Sequence, residues 1–396
     1  MTQDADVVVV GGGPAGALTG AFLAGRGRRV VLVERSAGYR WRACGVFASP
    51  AAVAALRGGG VDDATLARIG RPIPAMRVET PGGASFRLTY GDRDRLVAPA
   101  VGFDRAALDP ALLELARDAG VEIRAGAAVS GVATGRVELA GGRELRARII
   151  IGADGLRSVV AREFGAARRP RLAPRVGLTF HVADPHPDGS RDARMVLFEG
   201  GYAGLAPVPG GRVNVGIVVG GSWLDRLRRE GAESVVAAVL RRVPGAADDP
   251  VEWARPERCD AIEGAAPLGV RATRRAGRGW LLVGDAAGFL DPFTGEGLHR
   301  ALVSARLAAA AVDRSLDGDA AALAAYDGAM TARFRSKDVL SLVVHAFLAR
   351  PAAFDYAARR LAARQALRET MGLVMGDLVP ASRALDPRFV ARLLRP

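Results

Sequence analysis

The sequence predicts an α/β chain in which a parallel-sheet part is interleaved with an antiparallel sheet and followed by a helical tail. Three observations carry this expectation. Residues 5–36, ADVVVVGGGPAGALTGAFLAGRGRRVVLVERS, read as a buried β-branched strand, a glycine turn, an Ala-rich helix and a second buried strand. Two later apolar runs, residues 149–151 and 281–283, each stop at a turn of glycine and aspartate. Between them, residues 175–182 and 194–219 alternate as strands of an antiparallel sheet do.

Taken in order, residues 7–10 form the first strand. Gly11, Gly13 and Gly16 supply a GxGxxG turn. Gly11 permits the tight turn, Gly13 lets backbone approach a pyrophosphate, and Gly16 lets helix and strand pack closely. The following helix offers free N–H groups and a positive dipole end to phosphates. Residues 30–33 form the second strand, which ends in Glu34, an acceptor for ribose hydroxyls that disfavours a 2′-phosphate. The bound nucleotide is therefore expected to be FAD or NAD rather than NADP.

Residues 51–100 look mixed and turn-rich, with short strands near 76–80 and 85–89. Residues 104–118 form a helix whose Leu108, Leu112 and Leu115 share a face. Strands follow at 121–124 and 136–139. In RIIIGADGLRS, Asp154 and Gly155 make the turn and Ser158 starts or braces a helix. YAGLAPVPGGRVNVGIVV is a strand, a turn at Gly210 and Gly211, and a second strand. Residues 323–396 are helical and Arg-rich. The expected divisions are 1–72, 101–168 and 276–330 for a nucleotide-binding part, 73–100 and 169–275 for a substrate-binding part, and 331–396 for a C-terminal helical region.

Composition narrows the function. With 396 residues and 49% hydrophobic content the chain can bury a large core. Cys44 and Cys259 are its two cysteines, too few for a disulfide scaffold or a zinc site. No signal peptide and no apolar run of about 20 residues is seen, so a reducing cytoplasm is expected. The net charge of +13 is arginine-based, Lys337 being the one lysine, and the arginines are scattered. No dense basic tract or aromatic interleaving points to nucleic acid, and none is expected as a partner. Nothing in the sequence sets an oligomeric state.

GxGxxG with Glu34, the GADG turn at Asp154 and GDAAGFLDPFTGEG at 284–297 occur in this order. That arrangement resembles the FAD-dependent hydroxylase superfamily with the p-hydroxybenzoate hydroxylase fold. Cys44 and Gly45, the Ser-Pro at 49–50, DPFTGEGL and the helical tail are similar to the geranylgeranyl reductase branch. The resemblance implies a Rossmann-like FAD domain of the glutathione-reductase type, an antiparallel-sheet substrate domain and C-terminal helices. It implies FAD as cofactor, NAD(P)H as transient reductant and a hydrophobic small-molecule substrate. The site implied for FAD comprises Gly11, Gly13, Ala15, Gly16, Glu34 and Arg35 from the first unit, and Arg42, Cys44, Gly45 and Arg105 near the flavin. Asp154 and Gly155, Gly284 and Asp285, and Pro292, Gly295, Gly297 and Leu298 complete it. In the family, the acid matching Asp285 contacts a ribityl hydroxyl, Asp154 matches a residue supporting the pyrophosphate, and the helix after TGEGL faces the flavin N1 and O2.

Three catalytic candidates follow. Cys44, set between Arg42 and a glycine, is expected to have a lowered pKa and to give a proton to a substrate carbanion after hydride transfer; inert packing is the alternative. Tyr202 is a second proton source. His299 is an acid–base group or a packing residue. The reductases carry a Tyr-x-Trp-x-Phe-Pro element, whereas Tyr202 and Pro207 here enclose Gly204 and Ala206, which implies a wider pocket. The favoured expectation is reduction of a C=C bond in a hydrophobic molecule. The alternatives are O2-dependent hydroxylation of an aromatic or polyketide-like compound and a non-catalytic FAD protein. Halogenation is set aside, because Lys337 is far in sequence from the flavin motifs and no Trp-x-Trp-x-Ile-Pro element occurs. For a lipid substrate, the arginines and apolar face of the tail suit a peripheral membrane contact.

Overall fold

The structure is a computed structural model and describes residues 3–91, 98–168, 173–184, 186–187, 189, 191–243 and 257–395. Residues 92–97, 169–172 and 244–256, which the expected substrate-binding part includes, lie outside the described residues.

The first sheet follows from the β-branched runs. Strands Ala5–Val10, Val30–Glu34, Glu122–Ala125, Glu144–Gly152 and Trp280–Leu282 lie parallel, in the order Trp280–Leu282, Glu144–Gly152, Ala5–Val10, Val30–Glu34, Glu122–Ala125. The first strand is buried on both faces, as an apolar run flanked by parallel neighbours must be. Helices Pro14–Ala24, Arg105–Asp118 and Gly297–Leu316 cover one face around Leu18, Leu112 and Leu302. The other face is closed by strands Val129–Ala133 and Arg136–Leu139 and by the Val159–Glu163 helix. Ser158 caps that helix, accepting from Ala161 N–H at 2.9 Å.

The second sheet has seven strands, ordered Glu263–Ala265, Arg175–Ala183, Arg212–Gly220, Gly201–Val208, Ala193–Phe198, Ala75–Glu79, Ser85–Thr89. One face packs on the Ser222–Leu240 helix through residues such as Phe180, Leu205 and Ile217. The other face is turned toward the first sheet. Its cross-strand rows place Thr179 opposite Gly216, Gly216 opposite Gly204, and Gly204 opposite Met195.

The tail folds into helices Ala322–Leu348, Pro351–Ala363, Gln365–Met375 and Pro387–Leu394. Among the described residues no single helix is long and apolar enough to cross a membrane. The pair Ala322–Leu348 and Pro351–Ala363 has the apolar length together but is bent by 116°. Lys337 is buried here, donating to Asp377 Oδ1 at 2.7 Å and to the Val374 carbonyl at 2.8 Å. Ser49 donates to the other oxygen of Asp377 at 2.8 Å, so the lone lysine ties the tail to the first part of the chain.

The expected turn-rich stretch after residue 50 contains two helices, Pro50–Gly58 and Asp63–Ile69. Ser49 and Asp62 cap them, accepting from Ala52 N–H at 3.3 Å and Thr65 N–H at 2.8 Å. Ser followed by Pro at the first helical position is a helix-start signal, here masked by the surrounding glycines.

Candidate functional site

Parallel strands end at the same edge of their sheet, so the turns that follow them meet there. This brings together three motifs separated by more than a hundred residues each. Gly11, at φ +106°, would place a Cβ 2.5 Å from the Ala153 carbonyl oxygen, and a Cβ on Gly16 would sit 2.0 Å from Gly11 O. A Cβ on Gly284 would come within 2.9 Å of Ala15. The turns touch, and no side chain larger than hydrogen fits at these crossings. At Gly13 the nearest atom to such a Cβ is on Arg42, at 3.8 Å, which leaves the open approach that a phosphate requires.

Glu34 is buried at the end of its strand, where it accepts from Gly12 N–H at 2.7 Å and Ser36 N–H at 3.0 Å. Arg35 is exposed at the cavity rim. Asp154 Oδ2 accepts from Val159 N–H at 2.6 Å, while its Oδ1 is buried without a partner. Burial raises its pKa. An orphaned carboxylate oxygen needs a donor, so it suits a cofactor hydroxyl and not the pyrophosphate itself. Gly155, at φ +76°, completes this turn.

The side chain of Asp285 faces the cavity and makes no hydrogen bond or ion pair with the described residues. Burial raises its pKa from 3.8 to about 6, partly offset by Arg105, Arg300 and Arg42. For an acid, a raised value means that ionisation costs the folded protein. Its contribution is fully present below pH 4 and lost as pH rises through about 6, by at most about 3 kcal/mol. Asp285→Asn should therefore stabilise the FAD-free protein at pH 8 but not at about pH 3.5, while weakening FAD binding about tenfold through the lost charged acceptor. Thermal melts at the two pH values and an FAD titration check this; parallel melting profiles would count against it.

Arg105 is 7% exposed and holds three acceptors: Asp109 Oδ1 at 2.7 Å, Asp109 Oδ2 at 3.0 Å and the Gly45 carbonyl at 2.7 Å. Arg42 meets Asp109 from outside at 3.1 Å. These bonds fix the loop that carries Cys44. Sequence reasoning missed Asp109; its signal was an acid four residues after Arg105 on the buried stripe of a helix.

Burial pushes the Cys44 thiol up, with Asp109 and Asp285 adding to the shift and Arg105 and Arg42 opposing it. This corrects the expected lowering: two arginines near a thiol do not make a thiolate when partial burial and two carboxylates outweigh them. Cys44 faces the cavity as a protonated thiol.

Tyr202 also lines the cavity, but its hydroxyl donates to Asp291 Oδ1. Burial and Asp291 hold the phenol pKa well above its ordinary value. Asp291 in turn accepts from Phe293 N–H at 2.9 Å and Arg175 at 3.1 Å. Tyr202 therefore positions the Pro292–Thr294 turn against the second sheet, in place of the expected proton donation. Gly295 follows at φ +64°, where a Cβ would lie 2.8 Å from Phe47. Gly297 opens the Gly297–Leu316 helix, and Pro292, Gly295, Gly297 and Leu298 all line the cavity.

His299 does not. It is 4% exposed and packs toward the Ala322–Leu348 helix, its ring 6.4 Å from Phe334 and its Nε2 3.4 Å from Arg333. Burial lowers its pKa, so it is neutral. Of the two readings of His299 the structure carries packing and not the acid–base role: one helical step past the cavity-facing Leu298 turns the side chain away.

One continuous cavity of about 1530 Å³ joins these groups. It exceeds the roughly 300–1,000 Å³ of a typical single-ligand pocket and so has room for cofactor and substrate. The free carboxylate of Asp285, the orphaned Asp154 oxygen and the side-chain-free approach at Gly13 fit FAD. Lys337, buried on Asp377, does not line it.

The fold and the converging turns define a flavoprotein, and the comparisons agree. A family model described as "FAD binding domain" matches residues 4–335. The chain belongs to this family of flavoproteins of the p-hydroxybenzoate hydroxylase type and is an FAD-dependent oxidoreductase. A menaquinone reductase of Mycobacterium tuberculosis is 32% identical over 334 residues, covering 79% of this chain and 78% of that protein. Digeranylgeranylglycerophospholipid reductase 1 of Methanopyrus kandleri is 30% identical over 335 residues, covering 79% and 82%. The expected likeness to the geranylgeranyl reductase branch is thus met. A solved flavoprotein/dehydrogenase of Cytophaga hutchinsonii shares the fold, with a TM-score of 0.82 at 21% identity over 98% of this chain and 96% of that one.

Proposed function

We propose that the protein reduces a C=C bond in a polyprenyl-bearing lipid, using FAD that NAD(P)H reduces. The carrying observation is the shape of the cavity. From the flavin turns it runs beneath Gly177, Gly204 and Gly216 of the second sheet and continues between the tail helices past Phe354, Leu361 and Met371. A long, flexible, apolar chain fits such a passage. Val343, Val390 and Leu394 line its end and are also exposed, at 38%, 37% and 50%. The two named relatives support the reading, since a menaquinone and a digeranylgeranyl lipid share a polyprenyl chain.

Bound in this site, FAD supplies the hydride once reduced. The chain's own residues then orient the alkene, exclude water and supply one proton. Cys44 is the proton donor in this reading, because it faces the cavity as a neutral thiol while Tyr202 is committed to Asp291. The hydride and the proton add to the two alkene carbons and leave a thiolate, which solvent reprotonates.

Holoprotein reduced anaerobically and given a prenylated naphthoquinone should yield a product that, after any quinol is reoxidised in air, keeps two extra hydrogens in its prenyl chain. Product formed only with O2, and labelled from ¹⁸O2, would instead establish a hydroxylase. Cys44→Ala should retain FAD and lose about 10²-fold in rate, the typical contribution of a placed acid. Turnover unchanged in that variant would make the thiol a packing group.

The exposed apolar mouth carries Arg388 and Arg392 on its Pro387–Leu394 helix, a combination that suits an anionic bilayer surface as the source of substrate. The protein should co-float with anionic vesicles in low salt, and Val390→Asp with Leu394→Asp should abolish this. Equal flotation of the double variant would refute the contact.

A further inference from the structure

Tyr39 Oη, Trp41 Nε1, Tyr90 Oη and Thr294 Oγ1 are buried donors of cavity-lining residues without a partner among the described residues, and two of them share one cluster. Those two are Trp41 Nε1 and Tyr90 Oη. Both side chains line the cavity, and both pack into one cluster with Val46, Ile73, Ala193 and Ala206. Folded proteins seldom leave such donors unsatisfied, because each costs about 1–3 kcal/mol when buried without an acceptor.

The two donors are held, not loose. The Trp41 ring packs on His181, with centroids 4.4 Å apart. His181 is fixed from behind by Asp260, at 2.6 Å from Nδ1, and from beside by Asn214, at 3.4 Å from Nε2. Tyr90 is 3% exposed and lies 6.2 Å, ring to ring, from Phe47. Phe47 is the side chain that abuts Gly295, so a single aromatic layer separates Tyr90 from the turn that opens the flavin-facing helix. Ala206 faces the same space, where a bulkier residue would fill it.

We infer that Trp41 and Tyr90 form a head-group subsite that hydrogen-bonds the carbonyl oxygens of a neutral ring, as in a quinone, while the polyprenyl chain runs along the glycine strip toward the tail helices. The inference rests on the lipid-reduction reading and adds the class of head. The side chains clustered with the two donors, Val46, Ile73, Ala193 and Ala206, are apolar, and both donors are uncharged. A carbonyl needs only these neutral donors, whereas an anionic phosphate would need a counter-charge from Arg42 or Arg194, which line the cavity already paired with Asp109 and Glu79. The subsite thus favours a quinone head over a phospholipid head.

The test uses FAD-loaded protein in its oxidised state and follows flavin fluorescence on titration with three probes. These are a menaquinone with two prenyl units, the matching prenylated naphthalene without oxygens, and a digeranylgeranyl phospholipid. Wild type should bind the quinone at least tenfold more tightly than the naphthalene. Trp41→Phe and Tyr90→Phe should each bring that ratio close to one, leaving naphthalene affinity and flavin absorbance unchanged and the melting temperature no lower than that of wild type. A ratio that persists in both variants overturns the inference. So does a wild type that binds the phospholipid and not the quinone, in which case the lipid reading survives. Wild type that binds none of the three overturns both.

Discussion

Arg105→Met should lower the stability of the FAD-free protein by about 3 kcal/mol, the low end for breaking a buried ion pair. The substitution roughly preserves volume but strands Asp109, which is 3% exposed and left with only the half-exposed Arg42. The Gly45 carbonyl also loses its donor, so the loop bearing Cys44 loosens. Arg105 is the largest influence opposing the rise of the Asp285 pKa, and without it that carboxyl shifts further up. FAD binding should weaken along with stability, because both the loop and the Asp285 charge depend on the same guanidinium. Removing the stranded acid as well, in Arg105→Met with Asp109→Leu, should restore most of the stability, since paired charges replaced by apolar groups are often neutral in energy. Denaturant unfolding of the two variants decides the matter. A single variant within about 0.5 kcal/mol of wild type, the range of an unremarkable surface change, would sink the argument.

Filling the glycine strip should have the larger effect on turnover. Gly204→Trp combined with Ala206→Phe places two aromatics on the cavity face of the Gly201–Val208 strand. A Cβ at Gly204 meets Met195 at 3.6 Å and the Gly216 carbonyl oxygen at 3.9 Å, both ordinary contacts, so the backbone tolerates the change. Neither position belongs to the three turns, so FAD content should be unaltered. Activity on a ring-bearing prenyl lipid should fall by 10²-fold or more, the penalty typical of displacing a substrate by about an ångström. A linear prenyl substrate should lose less. Unchanged kcat/KM for both substrate types would show that the strip does not line the reacting pocket.

These two expectations draw on different kinds of information. Part of the glycine strip was legible: Gly204 and Ala206 implied a wider pocket by the family resemblance, and a strand pattern shows which residues share a face, whereas Gly177 and Gly216 joined them only through strand pairing. The three cofactor turns were legible for a similar reason. Positive φ, close backbone approach and a β-branched run are demands that a few adjacent residues either meet or fail, so Gly11 and Gly16 declared themselves, while Asp285 was implied by the family resemblance. The helices at Pro50–Gly58 and Asp63–Ile69 carried local signals too, in Ser49-Pro50 and in Asp62, but the surrounding glycines made the stretch read as turn-rich.

What the sequence left open depends on directions between elements far apart in the chain. Whether Cys44 is a thiolate is set by the balance of two arginines against Asp109, Asp285 and partial burial, and that balance exists only once the parts assemble. The Tyr202 hydroxyl found Asp291 across 89 residues of chain, and His299 turned toward Phe334 although its neighbour Leu298 faces the cavity. The sequence by itself determined a nucleotide-binding α/β chain with its flavin turns, because backbone geometry is a short-range constraint. The tertiary structure alone decided which polar groups are paired and how far the cavity reaches, because hydrogen bonds and burial are settled by the three-dimensional neighbour and not by the one next in line.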